Sequence, residues 1–201
     1  MAAGLHRADL VDDPIEQFRR WHADVTEAGV YEPAAVVVST ADEAGQPSSR
    51  HVLLRGVGPE GFTFFTNYES RKGDELASNP RASLLFPWAE LSRQVVVIGA
   101  VVRAAAEVSD AYFASRERGS QLSAWASDQS RPVGDRAALD TRFAEVEAEW
   151  EGRDVERPPH WGGYVVQPSS IEFWQGRPSR RHDRFRYIRT ADGWQIDRLQ
   201  P

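Results

Sequence analysis

The chain has 201 residues, 41% of them hydrophobic, which is enough for one substantial core and short for two large domains, so a single domain over 1–201 is expected. A net charge of -6 argues against a general binder of nucleic acid or anionic membrane, so any basic site must be local. With no cysteine, disulfides, thiolate metal sites and cysteine nucleophiles are excluded, and a cytoplasmic setting fits.

Residues 1–12 carry no charged-then-apolar signal pattern and read as a flexible arm. Asp13 as N-cap and Pro14 at the first helical position open a helix with Ile15, Phe18, Trp21 and Val25 at helical spacing, closed by Gly29. Residues 35–40 are β-branched and form a strand, followed by a turn over 42–47. The stretch 49–76 organises the rest of the chain. In it, 51–54 is an apolar strand between Arg50 and Arg55, 58–61 is turn chemistry and 62–66 is a second strand, so these two strands are expected to form a hairpin. Gly56, Gly58 and Gly61 spell GxGxxG, but the third glycine leads into a strand, which removes the dinucleotide-binding reading. Residues 67–70 then supply turn and capping chemistry for a helix opened by Arg71 and Lys72 and ended by Asn79 and Pro80.

Residues 82–88 and 94–103 read as strands, the second so rich in valine that burial on both faces is expected. Its apolar core, 95–102 with Gly99 inside it, is too short to span a bilayer. Helices follow over 107–116, over 120–126 with Ser120 as N-cap, and over 135–150 with Leu139, Phe143 and Val146 as its apolar stripe. A proline-containing connector over 153–159 leads to closing strands at 163–167, 171–175, 185–190 and 194–199. Short strands punctuated by turns, without βαβ alternation, predict a mainly β protein, an antiparallel barrel with peripheral helices.

Four groupings carry chemistry. Arg50, Arg55, Arg71 and Lys72, with Thr66 and Ser70 as neutral donors, gather at a helix start whose free N–H groups favour an anion, and a phosphate fits them better than a solvated edge does. Arg50 and Arg55 are an odd number apart and in a regular strand would point to opposite faces, serving two ligands. Tyr112 and Arg116 share a face at i, i+4, and with Ser120 could hold a phosphate dianion; from spacing alone, an Arg–Tyr surface stack and an ordinary cap explain them better. Between Arg177 and Arg189 lie six arginines against the single acid Asp183, beside Trp174 as a stacking face and His182, the side chain suited to proton exchange near neutrality. Gln94, Gln129 and Ser130 are neutral groups able to read the edge of a heterocycle. No His or carboxylate set has metal-ligand spacing.

The ordered motifs RHVLLR at 50–55, FTNYESRKG at 65–73, GSQ at 119–121, WAS at 125–127, IEFWQG at 171–176, the basic run 180–184 and the ending RLQP together resemble the pyridoxamine 5'-phosphate oxidase family, in register from about Asp13 onward. The resemblance implies an FMN-binding split β-barrel of Greek-key type, a homodimer with FMN at the subunit interface, and oxidation of pyridoxamine or pyridoxine 5'-phosphate to pyridoxal 5'-phosphate by O2 with release of H2O2. It implies FMN ligands at Arg50, His51, Val52, Leu53, Leu54, Arg55, Phe65, Thr66, Arg71, Lys72, Gln94, Gln129, Ser130, Trp174 and Arg184. It implies a substrate site at Arg55, Tyr112, Arg116, Ser120, Arg180 and His182, the last two as the catalytic pair, and no nucleic acid, membrane or metal partner. Three features depart from the family pattern: arginine at 55 where lysine is usual, a short segment before Asp13, and Leu122-Ser123 in place of an apolar-glycine pair. The competing readings are a related flavin oxidase acting on another small aromatic, such as a phenazine precursor, and a non-catalytic FMN or pyridoxal phosphate binder.

Overall fold

A computed structural model describes residues 4–201. Helix α1, Pro14–Glu27, starts as its sequence dictates: the Asp13 carboxylate accepts from the Ile15 N–H at 2.9 Å, and Phe18, Trp21 and Val25 are buried on one face. Phe18 meets Phe62 and Phe86 edge-on at 4.9 and 4.8 Å, and Trp21 meets Phe173 at 5.2 Å. Burial of each such side chain contributes on the order of 2 kcal/mol, so this face holds the helix against the sheet.

The sheet is antiparallel throughout. Its strands are β1 Ala35–Ala41, β2 Pro47–Leu53, β3 Gly56–Gly58, β4 Gly61–Asn67, β5 Arg81–Trp88, β6 Arg93–Arg103, β7 Trp161–Gln175, β8 Asp183–Thr190 and β9 Gly193–Arg198, in the order β2-β1-β5-β6-β7-β4-β3, with β8 and then β9 attached to β7. Strand β7 makes the split. It pairs with β6 along one edge, while its other edge takes β4 over residues 161–166 and β8 over residues 170–175. The expected strands 163–167 and 171–175 are therefore one strand, whose partner β6 shifts register between Ile98 and Gly99.

The expected hairpin needs correction. Strand β2 pairs with β1 across the Asp42–Gln46 turn, with Arg50 opposite Val38, and the short β3 is the hairpin partner of β4. The turn residue Gly61 has φ +130, and a Cβ there would lie 2.1 Å from the Val166 carbonyl oxygen, so glycine is required by both the turn and the neighbouring strand. The GxGxxG run makes this hairpin, as expected. Strand β6 also differs from expectation. Val95, Val97 and Val101 are buried, whereas Ile98 and Val102 are 50% and 42% exposed, so only one of its faces is covered within the chain.

Helix α2 spans Arg71–Ser78. The helices α3 Ala106–Ala114, α4 Arg118–Ala126 and α5 Arg136–Glu149 enclose a second apolar cluster of Phe113, Leu122, Val146, Trp150 and Trp161. Of the expected α5 stripe, Val146 is buried and Phe143 packs beside this cluster, while Leu139 is 42% exposed. Of the arm expected over 1–12, residues 1–3 lie outside the described residues, and over 4–12 Leu5 and Leu10 join the main core, the Leu5 N–H donates to Asp183, and the Tyr187 hydroxyl donates to the Val11 carbonyl at 2.6 Å. No helix among the described residues is long and apolar enough to cross a membrane.

Candidate active site

Strand β2, the end of β4, the start of α2 and the α3 terminus enclose a cavity of about 610 Å³, within the range of small-molecule sites. Its lining holds most of the residues anticipated from sequence: Arg50, His51, Val52, Leu53, Arg55, Phe65, Thr66, Arg71, Lys72, Tyr112, Arg116, Gln129 and Ser130, with Ser48, Ser49 and Trp161 in addition. Arg50 and Arg55 face the same cavity despite their odd spacing, because strand β2 ends at Leu53 and the chain turns before Arg55. Leu54 lies in the main core and contributes no lining.

At the α2 end, Ser70 caps the helix through the Gly73 N–H. Lys72 is buried, and its Nζ donates to Thr66 Oγ1 at 2.9 Å, Gln129 Oε1 at 2.7 Å and Ser70 Oγ at 3.2 Å. Burial, and then repulsion from Arg50, lowers the Lys72 ammonium to about 8, with Glu75 opposing. Behind it, the buried Glu75 carboxylate accepts from Thr40, from Ser48 at 2.7 and 2.6 Å, from Arg50 at 3.2 Å and from Arg71 at 2.9 Å. Burial pushes this carboxyl up, but the hydrogen bonds outweigh burial and hold it at about 2.

At the α3 end, Tyr112 stacks on Phe65 at 4.0 Å and lies nearly parallel to Trp161 at 6.1 Å. The Arg55 guanidinium sits 5.8 Å from the Tyr112 ring and Arg116 4.6 Å from the Trp161 ring. Arg116 lies past the end of α3, which stops at Ala114 with Ser115 as cap. Its Nη1 is buried with no hydrogen-bond partner, and burial pulls its pKa down, helped by Arg55 and opposed by Tyr112. Ser120 departs from expectation: Glu117 is the N-cap of α4, and Ser120 is an exposed residue inside that helix, outside the cavity lining.

The remaining anticipated residues lie at the other end of β7. Trp174 pairs in register with Gln94 on one side and Arg184 on the other, and it is 13 positions from Trp161, roughly 40 Å along a strand. His182 packs on Trp174 at 4.6 Å, and its Nδ1 accepts from the Arg177 N–H at 3.1 Å, so a neutral ring carries its proton on Nε2. Arg180 is exposed in a turn where it and Ser179 both have φ +58. Arg184 pairs with Glu172 at 2.7 Å and Arg186 with Asp197 at 3.7 Å, so the basic run is in part an ion-pair lattice. Within one chain the anticipated residues therefore fall into two groups, one at the cavity and one at the far end of β7.

Comparison with known proteins bears on this division. Residues 23–149 match the model of the pyridoxamine 5'-phosphate oxidase family, and residues 161–201 match the pyridoxine 5'-phosphate oxidase C-terminal dimerisation region. The chain belongs to the pyridoxamine 5'-phosphate oxidase family. It is 55% identical over 99% of its length to a pyridoxine/pyridoxamine 5'-phosphate oxidase of Rubrobacter xylanophilus, 92% of which is covered. It is 56% identical over its full length to one of Acidothermus cellulolyticus, 91% covered. Among solved structures, PhzG from Burkholderia lata in complex with tetrahydrophenazine-1-carboxylic acid is 34% identical with a TM-score of 0.92, covering 100% of this chain and 99% of that one. A pyridoxamine 5'-phosphate oxidase-related, FMN-binding protein of Nostoc punctiforme, 16% identical over 96% of this chain and all of that one, shares the fold at a TM-score of 0.74. The split barrel of this family is the architecture expected from sequence. Two residues at or behind the cavity escaped the sequence reading. Trp161 is brought in only by tertiary packing, whereas Glu75 had a local signal in its i, i+4 spacing from Arg71.

Proposed function

We propose that this chain is an FMN-dependent oxidase that converts pyridoxamine or pyridoxine 5'-phosphate to pyridoxal 5'-phosphate, with O2 as electron acceptor and H2O2 as by-product, working as a homodimer in the cytoplasm. The observation that carries the reading is the charge of the cavity: five cations line it, and one of them, Arg116, has a buried donor with no partner in the protein. An unpaired buried guanidinium donor is costly, and a phosphate oxygen is the ligand atom that satisfies it.

The donor set fits FMN. Arg50, Arg71 and Lys72 would hold its phosphate at the start of α2, with Thr66, Gln129 and Ser130 beside them. Arg55, Tyr112 and Arg116 would take the phosphate of the substrate. FMN held there would supply the redox chemistry, a two-electron oxidation of the substrate carbon that bears the amine or alcohol with O2 as the final acceptor. The protein's own work is to bind and orient. The aromatic wall of Phe65, Tyr112 and Trp161 backs Arg116 and limits where a phosphorylated ring can lie. The β7 end of a second copy would complete the site with Trp174, Arg180 and His182, which accounts for the separation of the two half-sites within one chain. There His182 would present its Nε2 proton and Arg180 its guanidinium to the reacting group. On this reading residues 1–201 act as one domain.

A phosphate-free tricyclic acid, the reading suggested by PhzG, would offer Arg55 and Arg116 a singly charged carboxylate, whereas a phosphate monoester brings about 1.5 to 2 negative charges to the two cations, which favours the phosphorylated vitamers. The test is the absorption spectrum of the purified protein under anaerobic conditions. Pyridoxamine 5'-phosphate is expected to bleach the yellow flavin band, and air to restore it with one H2O2 per turnover. Flavin-loaded protein that turns over neither phosphorylated vitamer would overturn the proposal, and an unchanged spectrum would indicate a carrier.

A further inference from the structure

We infer that Glu75 is a positioning residue for the cofactor phosphate, holding Arg50 and Arg71 toward the cavity and trimming the charge of that half of the site to match a single dianion. The inference rests on the functional reading above and concerns a residue behind the ligands. Glu75 is 5% exposed and belongs to no anticipated ligand set.

Arg71 opens α2, where the positive end of the helix dipole disfavours a cation, and it is more than half exposed. Left alone, such a side chain samples many rotamers. Its Nε is instead tied to Glu75 Oε1 at 2.9 Å, which leaves both Nη groups for a ligand. Arg50 is tied by Nη2 to Glu75 Oε2 at 3.2 Å and to Ser48 Oγ, and by Nη1 to Thr40 Oγ1 at 2.6 Å and the Val38 carbonyl at 3.3 Å, so its Nη groups are engaged within the protein and its charge and Nε–H remain for a ligand. Thr40 and Ser48 donate their hydroxyls to the same carboxylate, so its oxygens are filled and its direction is set. The carboxylate thus fixes two guanidinium groups on opposite sides of one buried point.

The charges agree with this role. Arg50, Arg71 and Lys72 less Glu75 leave two positive charges at the α2 end, and Arg55 with Arg116 leave two at the α3 end. A phosphate monoester carries about 1.5 to 2 negative charges near neutral pH, so each half balances one. Without the carboxylate the α2 end would hold three mutually repelling cations before any ligand arrived.

Glutamine at 75 keeps the size and the hydroxyl contacts but turns an N–H group toward guanidinium donors. Apo-protein should therefore be titrated with FMN, with riboflavin, which lacks the phosphate, and with inorganic phosphate, for the parent, Glu75→Gln and Glu75→Asp. Glu75→Gln is expected to weaken FMN and phosphate by about tenfold while riboflavin changes less than about twofold, and Glu75→Asp to fall between. Far-UV circular dichroism checks that each variant is folded; should Glu75→Gln not fold, the selective loss of FMN over riboflavin in Glu75→Asp decides the matter. Unchanged or tighter FMN binding in Glu75→Gln overturns the inference, as does equal loss of FMN and riboflavin, which would mean a general collapse of the cavity. A parent that binds phosphate but no flavin defeats the flavin reading alone, leaving the phosphate arm to judge Glu75. A parent that binds none of the three defeats both.

Discussion

At the scale of single residues, the cavity is built from ionisable groups whose states are set by burial. Lys72, lowered to about 8, is mostly charged at pH 7 and mostly neutral above pH 9. A phosphate dianion favours the charged form, so binding above pH 8 must take up a proton. FMN affinity of the apo-protein is expected to fall by about tenfold per pH unit between pH 8.5 and 9.5, and Lys72→Met to bind more weakly at pH 7 with this slope removed; quenching of flavin fluorescence measures both. Glu75 runs the other way. Its folded pKa of about 2 lies below the ordinary value of 4.5, so its stabilisation is complete above the unfolded value and disappears as pH falls through the folded one. The shift corresponds to about 3 kcal/mol, lost between roughly pH 4.5 and 2. Urea midpoints taken across that range should decline for the parent and decline less for Glu75→Gln. Arg71 and Lys72 were legible in the sequence, because RK at a helix start is a local pattern. The carboxylate behind them was passed over because its value comes from Thr40 and Ser48, which only the sheet brings near.

At the scale of elements, the sequence reading was most secure where one local rule suffices. Asp13-Pro14 opened α1, Ser70 capped α2 and the glycines made a hairpin rather than a nucleotide loop. It failed where two local rules compete. The run 51–54 could pair forward with β4 or backward with β1, and the tighter Asp42–Gln46 turn, closed by the Asp42 N–H to Gln46 carbonyl bond, takes it backward. Ser120 and Glu117 both precede helical residues, and the helix begins at the earlier one. The β6–β7 pair is held by such a detail. Gly99 lies at the register shift, where a Cβ would stand 1.9 Å from the Gln167 carbonyl oxygen. Gly99→Ala must separate two central strands, and is expected to cost about 2 to 3 kcal/mol, read as a lowered urea midpoint with an unchanged slope.

At the scale of the whole molecule, the separation of the cavity from the anticipated residues at the far end of β7 needs a physical cause. A single strand, β7, carries Trp161 at the cavity and Trp174 at its far end, and no folding of one chain brings these together. The family resemblance implied a site at a subunit interface, but motifs carry no information about which copy supplies which residue. The valine run of β6 was read as buried on both faces, and within the chain one face stays open at Ile98 and Val102. A second copy lying against that face would cover it and could bring the distant half-site to the cavity, since a two-fold operation uses the same surfaces twice. Complementation tests this directly. Arg116→Ala damages the cavity half and His182→Ala the strand-end half, so each homodimer has both sites impaired. When the two variants are mixed, unfolded and refolded together, half the dimers are mixed, and each of these has one site with both defects and one with neither. Activity should return to about one quarter of the parent's, from two nearly inactive starting materials. Recovery requires that the halves come from different chains, because a site drawn wholly from one chain would carry its own lesion in every dimer, and the mixture would stay as inactive as its components.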